Sequence, residues 1–238
     1  MKKKNFIKGI KDGFPICIGY FSVAFAFGIF AVANGLSSLE ALFISMTNVT
    51  SAGQLAAVPI IAGGGSFIEL GMTQVIINLR YALMSISLSQ KFDSGITLKD
   101  RLLIAFVNTD EVFAVATSQR GLLSKYYMFG LILTPFLGWS TGTIIGAVAG
   151  DILPSIITDS LSLAIYGMFI AIVVPEIKAN KSTFACVMIA IALSCSFYFI
   201  PILKSVPSGF AIIICALVSA GIMAIVSPID TKEAEENV

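Results

Sequence analysis

The chain has 238 residues, of which 57% are hydrophobic and 12% charged, with a formal net charge of +1 and no histidine. Soluble domains carry about a quarter charged residues, so half that share and a mean hydropathy of +0.93 exclude a soluble domain. The balanced charge excludes a nucleic-acid partner, and the missing histidine removes the commonest metal ligand and general base.

Charges are confined to the ends and a few loops. From Gly13 to Gln90 they are Glu40, Glu69 and Arg80 alone, and from Ser182 to Ile229 only Lys204. Apolar runs of about 20 residues, each long enough to span a bilayer, recur along the whole length. The expected fold is an all-α polytopic membrane protein, with residues 1–229 as one transmembrane domain and 230–238 as an acidic cytoplasmic tail.

Met1 to Asp12 carries five lysines, which places the start of the chain in the cytoplasm. The apolar run that follows, Phe14 to Ala33, is longer than a signal core and reads as a retained first span. The second segment, Leu39 to Ala62, is studded with Ser45, Thr47, Asn48, Thr50, Ser51 and Gln54. It also holds Gly53 and Pro59 and ends in Gly63-Gly64-Gly65. Polar side chains combined with helix breakers predict a broken or re-entrant helix lining a cavity.

The third span, Phe67 to Ser89, places Gln74, Asn78, Tyr81 and Ser85 on one helical face. Arg80 points elsewhere, towards a partner or a headgroup. The fourth segment, Leu102 to Ser118, holds Asn108-Thr109-Asp110-Glu111. Asn108, Glu111 and Ser118 are expected to share a helical face there, with Asp110 pointing about a third of a turn away. A carboxylate at membrane depth costs a few kcal/mol or more and belongs in a bundle interior or a wet cavity.

The fifth span, Tyr126 to Gly150, repeats Gly138, Gly142, Gly146 and Gly150 at every fourth position, extended by Gly130 and Thr134. Small residues at this spacing let two helices approach closely. The partner is another helix of this chain or a second subunit. Three plainer spans follow, Leu161 to Val174, Ser182 to Leu203 and Pro207 to Val226. The four cysteines lie inside spans without metal-type spacing and read as small hydrophobes.

Charge bias tests this topology. Lys91, Lys99 and Arg101 precede the fourth segment, and Arg120 and Lys125 follow it, so both flanks should be cytoplasmic. Re-entrant second and fourth segments satisfy this, giving six full spans plus two partial ones; eight plain spans would strand the first group outside. An internal repeat is suggested by Gly19-Tyr20, Gly28, Pro59 and Phe67 against Gly138-Trp139, Gly146, Pro175 and Phe184.

No histidine-based protease motif or nucleotide-binding loop is present, and the expectation is no enzyme, no cofactor and no metal. A small zwitterion fits better. Its carboxylate suits half-helix amides or Arg80, and its ammonium suits free carbonyls, Asn48, Asn78 or a carboxylate. Candidate substrate-binding residues are Asn48, Thr50, Gln54, Asn78, Arg80, Tyr81 and Asn108, with Asp110 and Glu111 as carriers of a coupling proton. The plainer alternative for Arg80 is a buried ion pair that fixes helix register.

Five motifs, in order along the chain, carry a resemblance. They are Gly19-Tyr20, Ser51-Ala52-Gly53-Gln54, Asn78-Leu79-Arg80-Tyr81, Thr109-Asp110-Glu111-Val112-Phe113 and Pro135-Phe136-Leu137-Gly138-Trp139. Together they resemble the AzlC-type permease family, the large subunits of branched-chain amino acid exporters, from Phe6 to Val226. The resemblance implies efflux of leucine, isoleucine, valine or analogues across the bacterial inner membrane. It also implies a small hydrophobic partner subunit of the AzlD type, for which the glycine row of the fifth span is a candidate surface. A channel or a non-transporting scaffold is the alternative from another class.

Overall fold

The computed structural model describes residues 2–154, 156, 167, 170, 173–175 and 177–227. Within them the elements are α1 (Lys2–Ala33), α2 (Ser38–Thr47), α3 (Ser51–Ala62), α4 (Phe67–Ser89), α5 (Leu98–Phe106), α6 (Asp110–Ser118), α7 (Lys125–Ile152), α8 (Lys181–Phe199) and α9 (Ser208–Val226). Four of these, α1, α7, α8 and α9, are long and apolar enough to cross a membrane. The 23 residues of α4 rise about 35 Å at 1.5 Å per residue, enough to span as well, and its polar face lowers its hydropathy. The chain is an all-α polytopic membrane protein. The expected sixth span lies almost wholly outside the described residues, and so does the acidic tail.

The first helix starts at Lys2 rather than Phe14. Hydropathy marks where the bilayer is, not where the helix begins. Thirty-two residues of helix rise about 48 Å, so the lysine-bearing turns reach beyond the apolar layer.

α1 and α7 pack side by side, and they are parallel. A Cβ at Gly138 would lie 2.5 Å from the Cys17 carbonyl oxygen, and one at Gly142 would lie 2.5 Å from that of Phe21. Gly146 faces Phe25 and Gly150 faces Ile29. Both partners advance together, which fixes the direction. Glycine answers from α1 as well: Gly9, Gly13 and Gly28 sit against the α7 backbone. The glycine row therefore takes the intrachain reading. It is filled by α1, and a second subunit does not reach it while α1 is in place.

One end of the bundle collects the basic loops. Asn5 Nδ2 donates to Ser124 Oγ (3.0 Å) and Lys8 Nζ to Gln119 Oε1 (2.6 Å). Lys91 Nζ donates to the carbonyls of Thr117 and Gln119 at the end of α6. Phe92 and Leu123 form a bridge, and Lys125 pairs with Asp100 at 3.7 Å. The starts of α1, α5 and α7 and the ends of α4 and α6 thus share this basic end.

It follows that α5–α6 is a hairpin that enters and leaves by the basic end. α2–α3 is the converse. α2 begins a short turn after α1 has reached the opposite end, and Val58 of α3 packs there with Phe30, Ala31 and Leu36. From that end α4 runs back to the basic one. Eight plain spans do not describe residues 38–62 and 98–118; two re-entrant hairpins do.

Candidate functional site

Each hairpin turns at a cluster of valine, asparagine and threonine, residues with weak preference for helical backbone. In the first, Asn48 leaves the helix (φ −135°, ψ 81°) and Thr50 adopts an extended conformation, accepting from Gly53 N as the cap of α3. Thr50 N donates back to Asn48 O at 2.8 Å. In the second, Val107 leaves the helix and Thr109 is extended, with Thr109 N donating to Val107 O at 3.0 Å. The helix therefore does not run through Asn108. The expected face of Asn108, Glu111 and Ser118 does not exist, because α6 begins only at Asp110. Both acids occupy its first turn, where the helix dipole favours negative charge.

The tips meet. A cavity of about 150 Å³ is bounded by Asn48, Val49 and Thr50 from one hairpin and Ala105, Phe106 and Asn108 from the other, with Asn78 and Tyr81 of α4 closing the side. The predicted polar face of α4 is what joins them. Gln74 Oε1 accepts from Asn48 Nδ2 (2.8 Å) and Asn78 Nδ2 (3.2 Å), while Gln74 Nε2 donates to Gly53 O (2.8 Å). Asn108 Nδ2 donates to Ser85 Oγ at 3.0 Å. Tyr81 OH reaches Thr50 Oγ1 at 3.5 Å.

Arg80 finds its partner in Asp110. Nη1 and Nη2 contact the two carboxylate oxygens at 3.0 and 2.9 Å, and Nη2 also donates to Tyr81 OH at 3.0 Å. The side chains of Arg80 and Asp110 are 55% and 46% exposed. The pair is thus not the buried register clamp considered above; it sits at the edge of the site. Glu111 points the other way and accepts a hydrogen bond from Tyr20 OH of α1.

Gln54 is fully buried, behind the tip of α2–α3. Its Oε1 accepts from Trp139 Nε1 (3.2 Å) and Ser45 Oγ (3.4 Å), and the Trp139 ring meets Tyr20 edge-on at 5.0 Å. Asn48, Thr50, Asn78, Tyr81 and Asn108 therefore line one cavity, Arg80 with Asp110 is joined to its wall through Tyr81, Glu111 is turned towards α1, and Gln54 stands behind it. Asn78 Oδ1 and Asn108 Oδ1 are buried without hydrogen-bond partners, which leaves two acceptors at the cavity wall.

Sequence reasoning passed over the hub, Gln74, although it named the face that carries it. It also passed over Tyr20, Trp139, Ser45 and Thr143. Tyr20 and Trp139 were visible only as motif letters, since their partners lie 91 and 85 residues away. Among the described residues, no three cysteine or acidic side chains gather as a metal site would require.

Comparison with known proteins agrees with this geometry in extent. The inner membrane protein YgaZ of Escherichia coli is 34% identical over 62% of this chain, and the matched stretch covers 62% of that protein's length. An uncharacterized membrane protein of Archaeoglobus fulgidus is 30% identical over 81% of this chain and 85% of its own. The branched-chain amino acid transport protein AzlC of Bacillus subtilis is 23% identical over 72% of this chain and 67% of its own. No solved structure matches. The family model described as AzlC protein matches residues 15–153, from the start of the first apolar run to the end of α7 and so across both hairpins, and the chain belongs to the AzlC family.

Proposed function

We propose that the chain carries a branched-chain amino acid, leucine, isoleucine, valine or a close analogue, out across the bacterial inner membrane. It does so as the large subunit of a two-component secondary transporter whose other part is a small hydrophobic AzlD-type subunit. The observation that carries this reading is the cavity between two half-helix tips. Broken helices that meet inside a membrane protein present unpaired backbone groups to a ligand without exposing them to lipid. The name of the Bacillus relative, a branched-chain amino acid transport protein, supports the substrate class.

Each part of the zwitterion has a counterpart. First-turn amides of α3 and α6, with Arg80 nearby, suit the carboxylate. The free Oδ1 atoms of Asn78 and Asn108 suit the ammonium, and Val49, Ala105 and Phe106 form the apolar wall. Glu111, held by Tyr20, and Asp110, held by Arg80, are the sites for a coupling proton. The basic end faces the cytoplasm by the positive-inside rule. No catalytic step belongs to this reading.

The test is counterflow in proteoliposomes, with a panel of labelled amino acids and with and without the small subunit. Saturable, stereoselective exchange of branched-chain substrates is expected. Its absence under both conditions would leave a scaffold whose polar network only joins helices, and non-saturable flux would leave a channel.

A further inference from the structure

The two hairpins share more than a break. At a displacement of 60 residues, Gly35, Ser37, Glu40, Leu42, Ile44 and Asn48 correspond to Gly95, Thr97, Asp100, Leu102, Ile104 and Asn108. The corresponding residues also act alike. Ser37 with Glu40 and Thr97 with Asp100 are reciprocal capping boxes at the starts of α2 and α5. Asn48 and Asn108 both lie in the breaks, and a backbone turn of the same kind closes each, from Thr50 N to Asn48 O in the first and one position earlier, from Thr109 N to Val107 O, in the second. α1 runs away from the basic end and α4 runs towards it, so the second copy is upside down relative to the first. α1–α3 and α4–α6 form an inverted repeat, shorter than and different from the duplication suggested by Gly19-Tyr20 and Gly138-Trp139.

The copies are not in the same state. A cavity of about 250 Å³ lies along α4 and α5, lined by Ser85, Leu88, Arg101, Ala105 and Asn108 among others. Ala105 and Asn108 also line the tip cavity, so the two spaces adjoin there. The displacement of 60 maps these five onto Phe25, Gly28, Ala41, Ser45 and Asn48. On that side the chain is packed shut. Ala41 and Ser45 are fully buried, and a Cβ at Gly28 would lie 2.5 Å from Ala147 N. Ser45 Oγ shares a 2.6 Å hydrogen bond with Thr143 Oγ1 of α7. Ala105, the counterpart of Ser45, has no hydroxyl with which to make such a latch.

We propose that the inverted repeat provides two access routes to the tip cavity. The route from the basic end, ending at Asn108, is open in this conformation. The matching route from the opposite end, ending at Asn48 and lined by Phe25, Gly28, Ala41 and Ser45, is held closed by the Ser45–Thr143 contact. Transport alternates between them as α2–α3 leaves α7 and α5–α6 closes. Asn108, 3% exposed with Oδ1 unpartnered, stands at the junction of the open route and the site. A buried polar atom left without a partner calls for one, and a passing ligand supplies it. What passes rests on the transport reading above; the routes themselves rest on the repeat.

Thiol accessibility tests this. The four native cysteines are replaced, and the single variants Ala105→Cys and Ala41→Cys, which leaves the Ser45–Thr143 contact in place, are exposed to a charged, impermeant maleimide from each face of sealed vesicles. At rest, Ala105→Cys should react from the basic face alone and Ala41→Cys, at a fully buried position, from neither. Adding Thr143→Val, or imposing a leucine gradient with the latch intact, should make Ala41→Cys reactive from the opposite face and slow the reaction at Ala105→Cys. An Ala41→Cys thiol that stays unreactive from the opposite face under both conditions, or reacts from the same face as Ala105→Cys, overturns the two routes. Vesicles in which Thr143→Val exposes Ala41→Cys while no branched-chain amino acid moves would support the routes and overturn the substrate.

Discussion

The α1–α7 seam and the hairpin junction lie side by side yet are built from opposite materials. The seam is largely backbone against backbone, with glycines from both helices letting the two main chains come into contact. The junction is side chain against backbone and side chain, with Gln74, Asn48, Asn78 and Asn108 joining three separate pieces of chain. Lipid is as apolar as leucine, so burying apolar surface does not pull membrane helices together; close packing and hydrogen bonds do. The seam uses the first device and the junction the second. A close-packed seam has one arrangement, whereas a hydrogen-bonded junction can exchange partners, and the proposed transport needs both a frame and a part that moves.

The largest effect should come from breaking the seam. A Cβ at Gly146 would overlap the Phe25 carbonyl, and overpacking a tight contact costs about 1–3 kcal/mol or more. Gly146→Leu should therefore lower the yield of folded protein and its melting temperature in detergent. Gly221→Leu in α9, where nothing lies within 4 Å, should leave both unchanged. Equal melting temperatures for the two variants would mean that the seam is not the frame.

Next comes the junction hub. Gln74→Leu strands the amides of Asn48 and Asn78, each left unpaired at about 1–3 kcal/mol. Counterflow should be lost with helical content retained, as judged by far-ultraviolet circular dichroism. The carboxylates should separate next. Glu111→Gln is expected to abolish proton-driven efflux while leaving counterflow, which needs no net proton movement; Asp110→Asn should do the same if it shares the proton. Full proton-driven efflux from both single variants would remove the coupling role.

The smallest effect lies at the mouth of the second hairpin. The backbone and hydroxyl of Thr97 hold the Asp100 carboxyl below its ordinary range. A carboxylate lowered in the folded state stabilises that state above its unfolded pKa and loses the contribution as pH falls through the folded value. Asp100→Asn should thus lower the melting temperature slightly at neutral pH, and the difference from the parent should vanish in acid below the carboxylate range.

The sequence disclosed the hairpins by two independent signs. Asn48, Thr50, Pro59 and three glycines do not suit a plain span, and basic residues on both flanks of 102–118 do not suit a crossing. It misplaced the second hairpin's start, Leu98 rather than Leu102, because the Thr97–Asp100 box that begins α5 lies in a polar stretch that hydropathy discards. The face drawn through Asn108 failed because a periodicity argument assumes an unbroken helix. Glycine spacing showed that Gly138 to Gly150 would pack closely but could not say against what, since helix periodicity names a face and not its neighbour. Tyr20–Glu111 and Trp139–Gln54 were out of reach for the same reason. Nothing local in either segment encodes a contact some 90 residues away.

The parallel seam also sets an order of events during synthesis. Cys17 and Gly138 are about 120 residues apart in the chain, and at roughly 5–20 residues per second α1 waits on the order of ten seconds for α7. Throughout that interval α1 sits in the bilayer with its glycine face towards lipid, while both hairpins are laid down beside it. The frame is therefore completed after the moving parts, and α7 is the helix that locks an assembly already in place. A chain that stalls before Lys125 would leave the hairpins without their support, which makes the emergence of α7 the step at which a nascent molecule becomes committed to its fold.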